Sequence, residues 1–505
     1  MAVSKSLLIR ADADASIGWG HVMRCLALAQ AWNKAGGVAT FATHGVDGAI
    51  LDRLSAERIG MLEITPNAGS KDDASETLGH AVRMRADWIV VDGYMFGREY
   101  RTLLRDSGAR LCYIDDLGGD CESADVVLNQ NLHAAESLYQ DRQPRTVLLL
   151  GSRYVLLRRE FREWLDWRRD IAPVGRKLLI TMGGSDQSAA TLRVLESLLL
   201  VRSPECEVTV LLGTGGSQRQ ALETARSKLG WQVEINTASP NMAELMAGTD
   251  LAVSGAGSTS WELAFMQVPA VLVPLAANQE PIAHELAKAG VSINLGRNEE
   301  VSPADIARVI ETLAFSVEDR SRMAVRGRAI VDGRGAERVV ARLLLPPIEL
   351  RRASMEDSEL LWKWRNDPVV RKQSFSSDAI SWQDHLKWLI GKLADSNCWI
   401  LVGVNEDRKP VGQVRLDLNG ARDATVHITV EPAMRDRGYG PAMLVSALDE
   451  LSRGAAVDIV HAFIRPDNRA SLKAFERAGF VWRERAQVGG LVAEHYTCAV
   501  TGMPA

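Results

Sequence analysis

The chain has 505 residues, too many for one hydrophobic core, so two or three domains are expected. Hydrophobic residues at 46% and charged residues at 24% exclude a mainly disordered or fibrous chain. With 59 basic and 64 acidic residues the net charge is -5, which speaks against a general nucleic-acid binder.

The chain opens with an apolar stretch of only three residues, Leu7 to Ile9, before an arginine. That is too short for a signal peptide, and no apolar run approaches a membrane span, so a cytoplasmic protein without a membrane span is expected. Short apolar runs bounded by Gly, Asp or Ser then recur: SLLIRAD, DWIVVDG, RLCYIDD, DVVLNQN, KLLITMGG, EVTVLLG and DLAVSGAG. They do not alternate, which marks strands buried on both faces of a parallel sheet. Helical patterns lie between several of them, as in HVMRCLALAQAWNKAGG, where Gly36 and Gly37 make a stop. Strand and helix in alternation predict an α/β fold. Four of these strands precede residue 130 and three follow 176, separated by an arginine-rich stretch that starts no strand. A lobe boundary is placed there, giving lobes 1–165 and 166–347 with a cleft between them. Pro346 and Pro347 stop a helix, and Ile348-Glu349-Leu350-Arg351 restarts as a strand, so 348–505 reads as a third domain.

Six cysteines are scattered without CxxC spacing, and nine histidines include no HxxxH pair, so neither a disulfide framework nor a metal is expected. Candidate chemistry sits at two turns of the first 347 residues. After the first strand, Gly18 and Gly20 precede a helix expected to start near His21. The end of a strand in an open α/β sheet faces the ligand crevice, which favours His21 as a general base over a packing residue. Asp14 in the same loop is a candidate to orient it. After DLAVS come Gly255-Ala256-Gly257-Ser258-Thr259, then a helix with Trp261 and Glu262. Small residues and hydroxyls at a helix start suit phosphate oxygens, and a carboxylate one turn in can take ribose hydroxyls. The next strand, AVLVPLA, leads to Asn278-Gln279-Glu280, bringing amides to the same crevice.

This second constellation resembles the nucleotide-diphosphate site of GT-B glycosyltransferases. Together with the opening IGWGHVMRCLALA, residues 1 to about 345 resemble the UDP-sugar hydrolases of pseudaminic acid biosynthesis. Further matches are Asp92-Gly93-Tyr94, Asp115-Asp116, Leu128-Asn129-Gln130-Asn131, Leu157-Arg158 with Glu160-Phe161, and Met182-Gly183-Gly184-Ser185-Asp186. The resemblance implies two Rossmann-like lobes and hydrolysis of UDP-2,4-diacetamido-2,4,6-trideoxy-β-L-altropyranose to free sugar and UDP. It implies His21 as base, Gly20, Gly257, Ser258 and Thr259 at the phosphates, Glu262 at the ribose, and Tyr94, Asn278 and Gln279 at the sugar. Asp115, Asp116 and Asn131 read as turn and cap residues.

In the third domain a strand runs to Glu431-Pro432, and Arg435-x-x-Gly438-x-Gly440 opens a helix expected over Pro441 to Leu451. A strand, glycine loop and helix in this order cradle a pyrophosphate with backbone N–H groups. The pattern resembles the acetyl-CoA loop of GNAT acetyltransferases. Asn468-Arg469-Ala470-Ser471 followed by Phe475 and Ala478-Gly479-Phe480 resembles that family's next segment, and Trp364 to Arg371 its opening helix. The resemblance implies an α+β GNAT domain that uses acetyl-CoA, with Ile428, Val430, Arg435, Arg437, Gly438, Tyr439, Gly440 and Asn468 at the cosubstrate. Phe475 stands where many relatives carry an acidic tyrosine, and phenylalanine donates no proton, which leaves Tyr496 or water for that role. His427 is either the base for the amine or a strand residue facing its partner layer. The expected substrates are a UDP-amino sugar and acetyl-CoA. The alternatives are a GT-B glycosyltransferase with a GNAT module for another amine, its membrane-facing patch in Arg153–Arg169, or a non-catalytic CoA-binding module. The interleaved acids of Arg153–Arg169 favour a solvated face instead.

Overall fold

The computed structural model describes residues 5–500 except 14–17, 46–47, 144, 184–189, 203–204, 213–218, 238–240 and 421. Asp14 and the segment Gly184-Ser185-Asp186 therefore lie outside the described residues. The chain divides into two compact units, Met1–Val339 and Val340–Ala505, the division falling within the helix Gly335–Leu344. Among the described residues no helix is long and apolar enough to cross a membrane.

The first unit holds two sheets, parallel throughout. One contains β1 (Ser6–Ala11), β2 (Val38–Thr43), β3 (Gly60–Glu63), β4 (Trp88–Asp92), β5 (Arg110–Ile114), β6 (Val126–Asn129) and β7 (Val147–Leu150), in the order β3-β2-β1-β4-β5-β6-β7. The other contains β8 (Lys177–Thr181), β9 (Glu207–Leu211), β10 (Val233–Asn236), β11 (Leu251–Ser254), β12 (Ala270–Leu272) and β13 (Ser292–Asn294), in the order β10-β9-β8-β11-β12-β13. Leu7, Leu8 and Ile9 are all fully buried although adjacent side chains point to opposite faces, so β1 is covered on both sides. In each sheet the chain runs outward from a first strand and then restarts on its other side. The switch points, β1/β4 and β8/β11, are where doubly wound sheets open a crevice at their C-terminal ends.

The second unit is a mixed sheet with helices. It contains β14 (Glu349–Arg352), β15 (Cys398–Val404), β16 (Pro410–Leu418), β17 (Asp423–Val430), β18 (Ile459–Ile464), β19 (Val481–Val488) and β20 (Leu491–Ala499). Their order is β14-β15-β16-β17-β18-β20-β19, antiparallel except where β17 meets β18. That parallel pairing covers only Asp423–Thr425 against Ile459–His461, so β17 parts from β18 beyond Thr425. The helix Tyr439–Gly454 packs one sheet face through Met443, Leu444, Ala447 and Leu451. Leu361, Trp364 and Leu389, from the helices Ser358–Asn366 and Trp382–Ala394, cover Ile400 and Val402 on the other.

Candidate functional sites

The helix Gly20–Lys34 follows β1 at the first switch point and ends before Gly36, whose φ of +90° suits glycine. Its first turn places His21 and Arg24 over the end of β4. His21 Nδ1 lies 2.6 Å from Asp92 Oδ1. Arg24 donates from Nε and Nη2 to Asp92, each at 2.7 Å, and from Nη1 and Nη2 to Asp116 at 2.8 and 3.0 Å. Asp92 is wholly buried, and burial alone would raise its pKa. Arg24 and His21 outweigh that and hold it well below the ordinary carboxylate range. Asp116 is likewise depressed, burial being overcome by Arg24. An ionised Asp92 accepts the Nδ1 proton of His21, which leaves Nε2 as the ring nitrogen available for proton transfer.

Tyr94 extends this network outward. Its hydroxyl donates to Asp116 Oδ2 at 2.9 Å and accepts from Asn278 Nδ2 at 2.7 Å, and its ring meets that of His21 edge-on at 5.0 Å. Burial and then Asp116 raise its pKa, so it stays a neutral phenol. Asn131 Nδ2 donates to Asp116 at 2.9 Å. Asp116 and Asn131 are therefore not the turn and cap residues expected from the sequence; burial and Arg24 draw them into the charged network. Asp115 does serve its turn, accepting from the backbone N–H of Leu117 and Gly118, and it also accepts from Tyr139.

The loop after β11 closes the other side. A side chain on Gly255 would come 2.9 Å from the Met182 carbonyl at the end of β8, so only glycine fits there. A methyl group on Gly20 would sit 3.5 Å from Ser258 Oγ, which puts the two glycine turns face to face. Gly257 and Ser258 lead into the helix Thr259–Phe265. Gln279 Oε1 accepts from the N–H of Ala256 and Leu275 at 3.1 and 3.0 Å and so fixes this loop. Glu262 accepts from Arg158 Nη2 at 2.8 Å; burial raises its pKa and Arg158 opposes the rise. Arg169 binds the carbonyls of Met246, Thr249 and Met266. Within the Arg153–Arg169 stretch, Arg158 and Arg169 are thus spent on the second sheet's side of the unit, whereas Arg159, Glu163, Asp166 and Arg168 are exposed. The sequence reading missed Asp92 and Arg24 as partners of His21. The signal available was Asp92 itself, a carboxylate closing an apolar strand next to β1.

In the second unit, Gly438 has φ +83° and precedes the helix Tyr439–Gly454, which begins two residues earlier than expected. Ile428 and Val430 lie on the part of β17 that has left β18, next to this turn. Gly440 is buried, with Val430 Cγ2 3.5 Å from where its side chain would be. The opening helices are tied to the loop: Trp364 Nε1 donates to Glu431, and Arg435 donates to Asp367 Oδ1 at 2.7 Å. Arg435 is therefore committed to Asp367, whereas Arg437 is exposed. Asn468 caps the helix Arg469–Arg477 by accepting from the Ser471 N–H. Phe475 is buried edge-on against Phe480. Tyr496 donates to Glu476 Oε1 at 3.0 Å, and burial and then Glu476 raise its pKa. His427 is half exposed, 3.4 Å from Asp417 Oδ2.

Residues 178–330 match the glycosyltransferase family 28 C-terminal domain, and residues 348–481 match the acetyltransferase (GNAT) domain. An uncharacterised protein of Methanocaldococcus jannaschii is 22% identical over 94% of this chain and 96% of its own length. The UDP-2,4-diacetamido-2,4,6-trideoxy-beta-L-altropyranose hydrolase of Campylobacter jejuni is 23% identical over 57% of this chain and 98% of its own. The spore coat polysaccharide biosynthesis protein SpsG of Bacillus subtilis is 26% identical over 39% of this chain and 58% of its own. One chain thus joins a glycosyltransferase family 28 C-terminal domain, residues 178–330, to a GNAT acetyltransferase domain, residues 348–481.

Proposed function

We propose that this is a bifunctional enzyme of pseudaminic acid biosynthesis, with a UDP-sugar hydrolase in residues 1–347 and an N-acetyltransferase in 348–505. The observation that carries the hydrolase half is His21 held against a buried, ionised Asp92, with its ring beside Tyr94 and opposite the Gly255–Thr259 loop. In this reading Nε2 of His21 takes a proton from water as its oxygen attacks the anomeric carbon. The bond from that carbon to the nucleotide oxygen breaks, and UDP leaves as an anion. Ser258 and Thr259 hold its phosphates, Glu262 the ribose, and Tyr94 and Asn278 the sugar, with Gln279 shaping the loop. The Campylobacter relative's name supports the substrate, 2,4-diacetamido-2,4,6-trideoxy-β-L-altropyranose linked to UDP.

In the acetyltransferase half, acetyl-CoA lies in the gap between β17 and β18, its pyrophosphate at Arg437-Gly438-Tyr439-Gly440. The 4-amino group of the precursor UDP-sugar attacks the thioester, and coenzyme A leaves as the thiol. His427, with Asp417 behind it, is placed to take the amine proton through water. Tyr496 is already bonded to Glu476 and is a poor proton donor with a raised pKa, so water serves the leaving thiolate. The experiment is mass spectrometry of the products from the UDP-4-amino sugar plus acetyl-CoA. Acetylated free sugar and UDP, formed without any acceptor, is the expected result; UDP release that needs an acceptor would make the first unit a glycosyltransferase.

A further inference from the structure

The acetyltransferase unit carries a cluster of arginines that the reading above leaves without work. Arg415 on β16 faces Ile400 of β15 and His427 of β17, so it shares the sheet face covered by the opening helices. Its Nε donates to Asp417 at 2.9 Å, and its guanidinium sits 5.6 Å from the centre of the Trp388 ring. Arg365 closes the helix Ser358–Asn366, and Arg371 lies in the next helix, Pro368–Gln373. Arg365 uses Nη2 on the Ser376 carbonyl, but its Nη1 is buried and bonds nothing, and the same holds for Nε of Arg371. Among the described residues neither arginine forms an ion pair with an acid. Burial, then Arg415 and Arg371, push the Arg365 pKa below the ordinary guanidinium value, so each of those two cations opposes the charge of Arg365. Two amides on the same elements, Gln373 and Gln413, also leave buried oxygens unpaired.

Buried donors without acceptors are costly unless something fills them. The acids nearby do not. Asp417 is shared by Arg415, Lys392 and His427; Asp367 is taken by Arg435; Glu431 is taken by Trp364. Three guanidiniums with a single, already shared carboxylate call for a ligand with more than one negative charge and flat, forked oxygens. A polyamine or another polycationic acceptor would meet repulsion here.

We propose that Arg365, Arg371 and Arg415 form an anion subsite of the acetyltransferase unit that takes the diphosphate of a nucleoside-diphosphate amino sugar. This rests on the reading of the acceptor as a UDP-amino sugar. Gln413 lies two residues along β16 from Arg415, on the same sheet face and opposite Thr429 of β17, so the subsite continues toward the strand where that reading places the thioester. Coenzyme A also carries phosphates, and the test must separate the two sources.

The full chain is titrated with UDP by calorimetry, with coenzyme A saturating, and compared with Arg371→Gln. Loss of one UDP site per chain, or at least tenfold weaker binding at it, is expected. In acetyl-transfer assays the KM for the UDP-4-amino sugar should rise at least tenfold while the KM for acetyl-CoA holds, and Arg371→Lys should lose less. Arg365→Gln should repeat the pattern if both arginines act on the ligand. A rise in the acetyl-CoA KM instead would give the subsite to the cosubstrate and overturn the proposal. If the UDP-amino sugar is acetylated and Arg371→Gln changes neither UDP binding nor its KM, the subsite fails while the substrate reading stands. If a UDP site disappears in Arg371→Gln but the UDP-amino sugar is not acetylated, the subsite stands and the substrate reading fails.

Discussion

His21 Nδ1 lies 2.6 Å from Asp92 Oδ1, and the two residues stand 71 positions apart in the chain. The contact fixes which imidazole nitrogen is free for proton transfer. His21→Asn should bind UDP nearly as well as the wild type but lose about 10²-fold or more in turnover. Asp92→Asn should lose about 10²- to 10⁴-fold, because an amide no longer enforces the tautomer. UDP release kinetics beside UDP calorimetry check both; near-normal hydrolysis by His21→Asn removes it from the chemistry.

Glu262 and Arg158 form a buried pair. Glu262→Ala should weaken UDP binding by about 10- to 150-fold, the worth of one charge-assisted hydrogen bond of about 1.5–3 kcal/mol. It should also lower the melting temperature, since Arg158 is left without one of its acids. Unchanged UDP affinity with a lowered Tm would make Glu262 a partner of Arg158 alone.

The two glycines of the second unit's turn should fail differently. At Gly438, φ +83° strains any other residue, and a side chain would come 3.1 Å from Pro346 Cδ, so Gly438→Ala should cost about 1 kcal/mol or more of stability. At Gly440 the first side-chain carbon meets only ordinary contacts, so Gly440→Ala should fold. Gly440→Val should abolish acetyl transfer and spare UDP release, because its branched side chain blocks close approach of the pyrophosphate. Equal loss of both activities would mean global damage.

Acid should loosen the first unit through Asp92 and Asp116. Both have folded pKa values below the unfolded value of about 3.9, so their stabilisation is complete above that pH and lost as pH falls through the folded values. Denaturant midpoints should hold from neutral pH to about 5 and then drop below about 4. Asp92→Asn should flatten that drop.

Residues 1–345 alone should hydrolyse the diacetylated UDP-sugar without acetyl-CoA, and residues 348–505 alone should acetylate the amine without releasing UDP. The hydrolase should also prefer amide to amine, since an ammonium would enter its site uncompensated. UDP release by the 1–345 fragment on each sugar measures this; equal kcat/KM would overturn the proposed order of acetylation before hydrolysis.

The alternation of apolar runs and helices made the α/β plan legible, because strands covered on both faces need no polar alternation, as Leu7 to Ile9 demonstrate. The glycine turns were legible too, since Gly255 and Gly438 stand where no side chain fits comfortably. What spacing could not convey was pairing across distance. Asp116 reads as a turn residue until Arg24, 92 positions away, is seen to grip it. Arg158 likewise reads as one charge in a run until it is seen on Glu262, 104 positions on.

The parting of β17 from β18 has a cost when the gap holds no ligand. Beyond Thr425, every second residue of β17 turns its amide and carbonyl away from β16 toward a neighbour that has moved off. Those groups behave as an edge inside a sheet, open to water and to stray strands. Amide hydrogen exchange at every second residue from Val426 to Val430 should therefore be fast beside well-protected Leu401 and Val414, and filling the gap should slow it first.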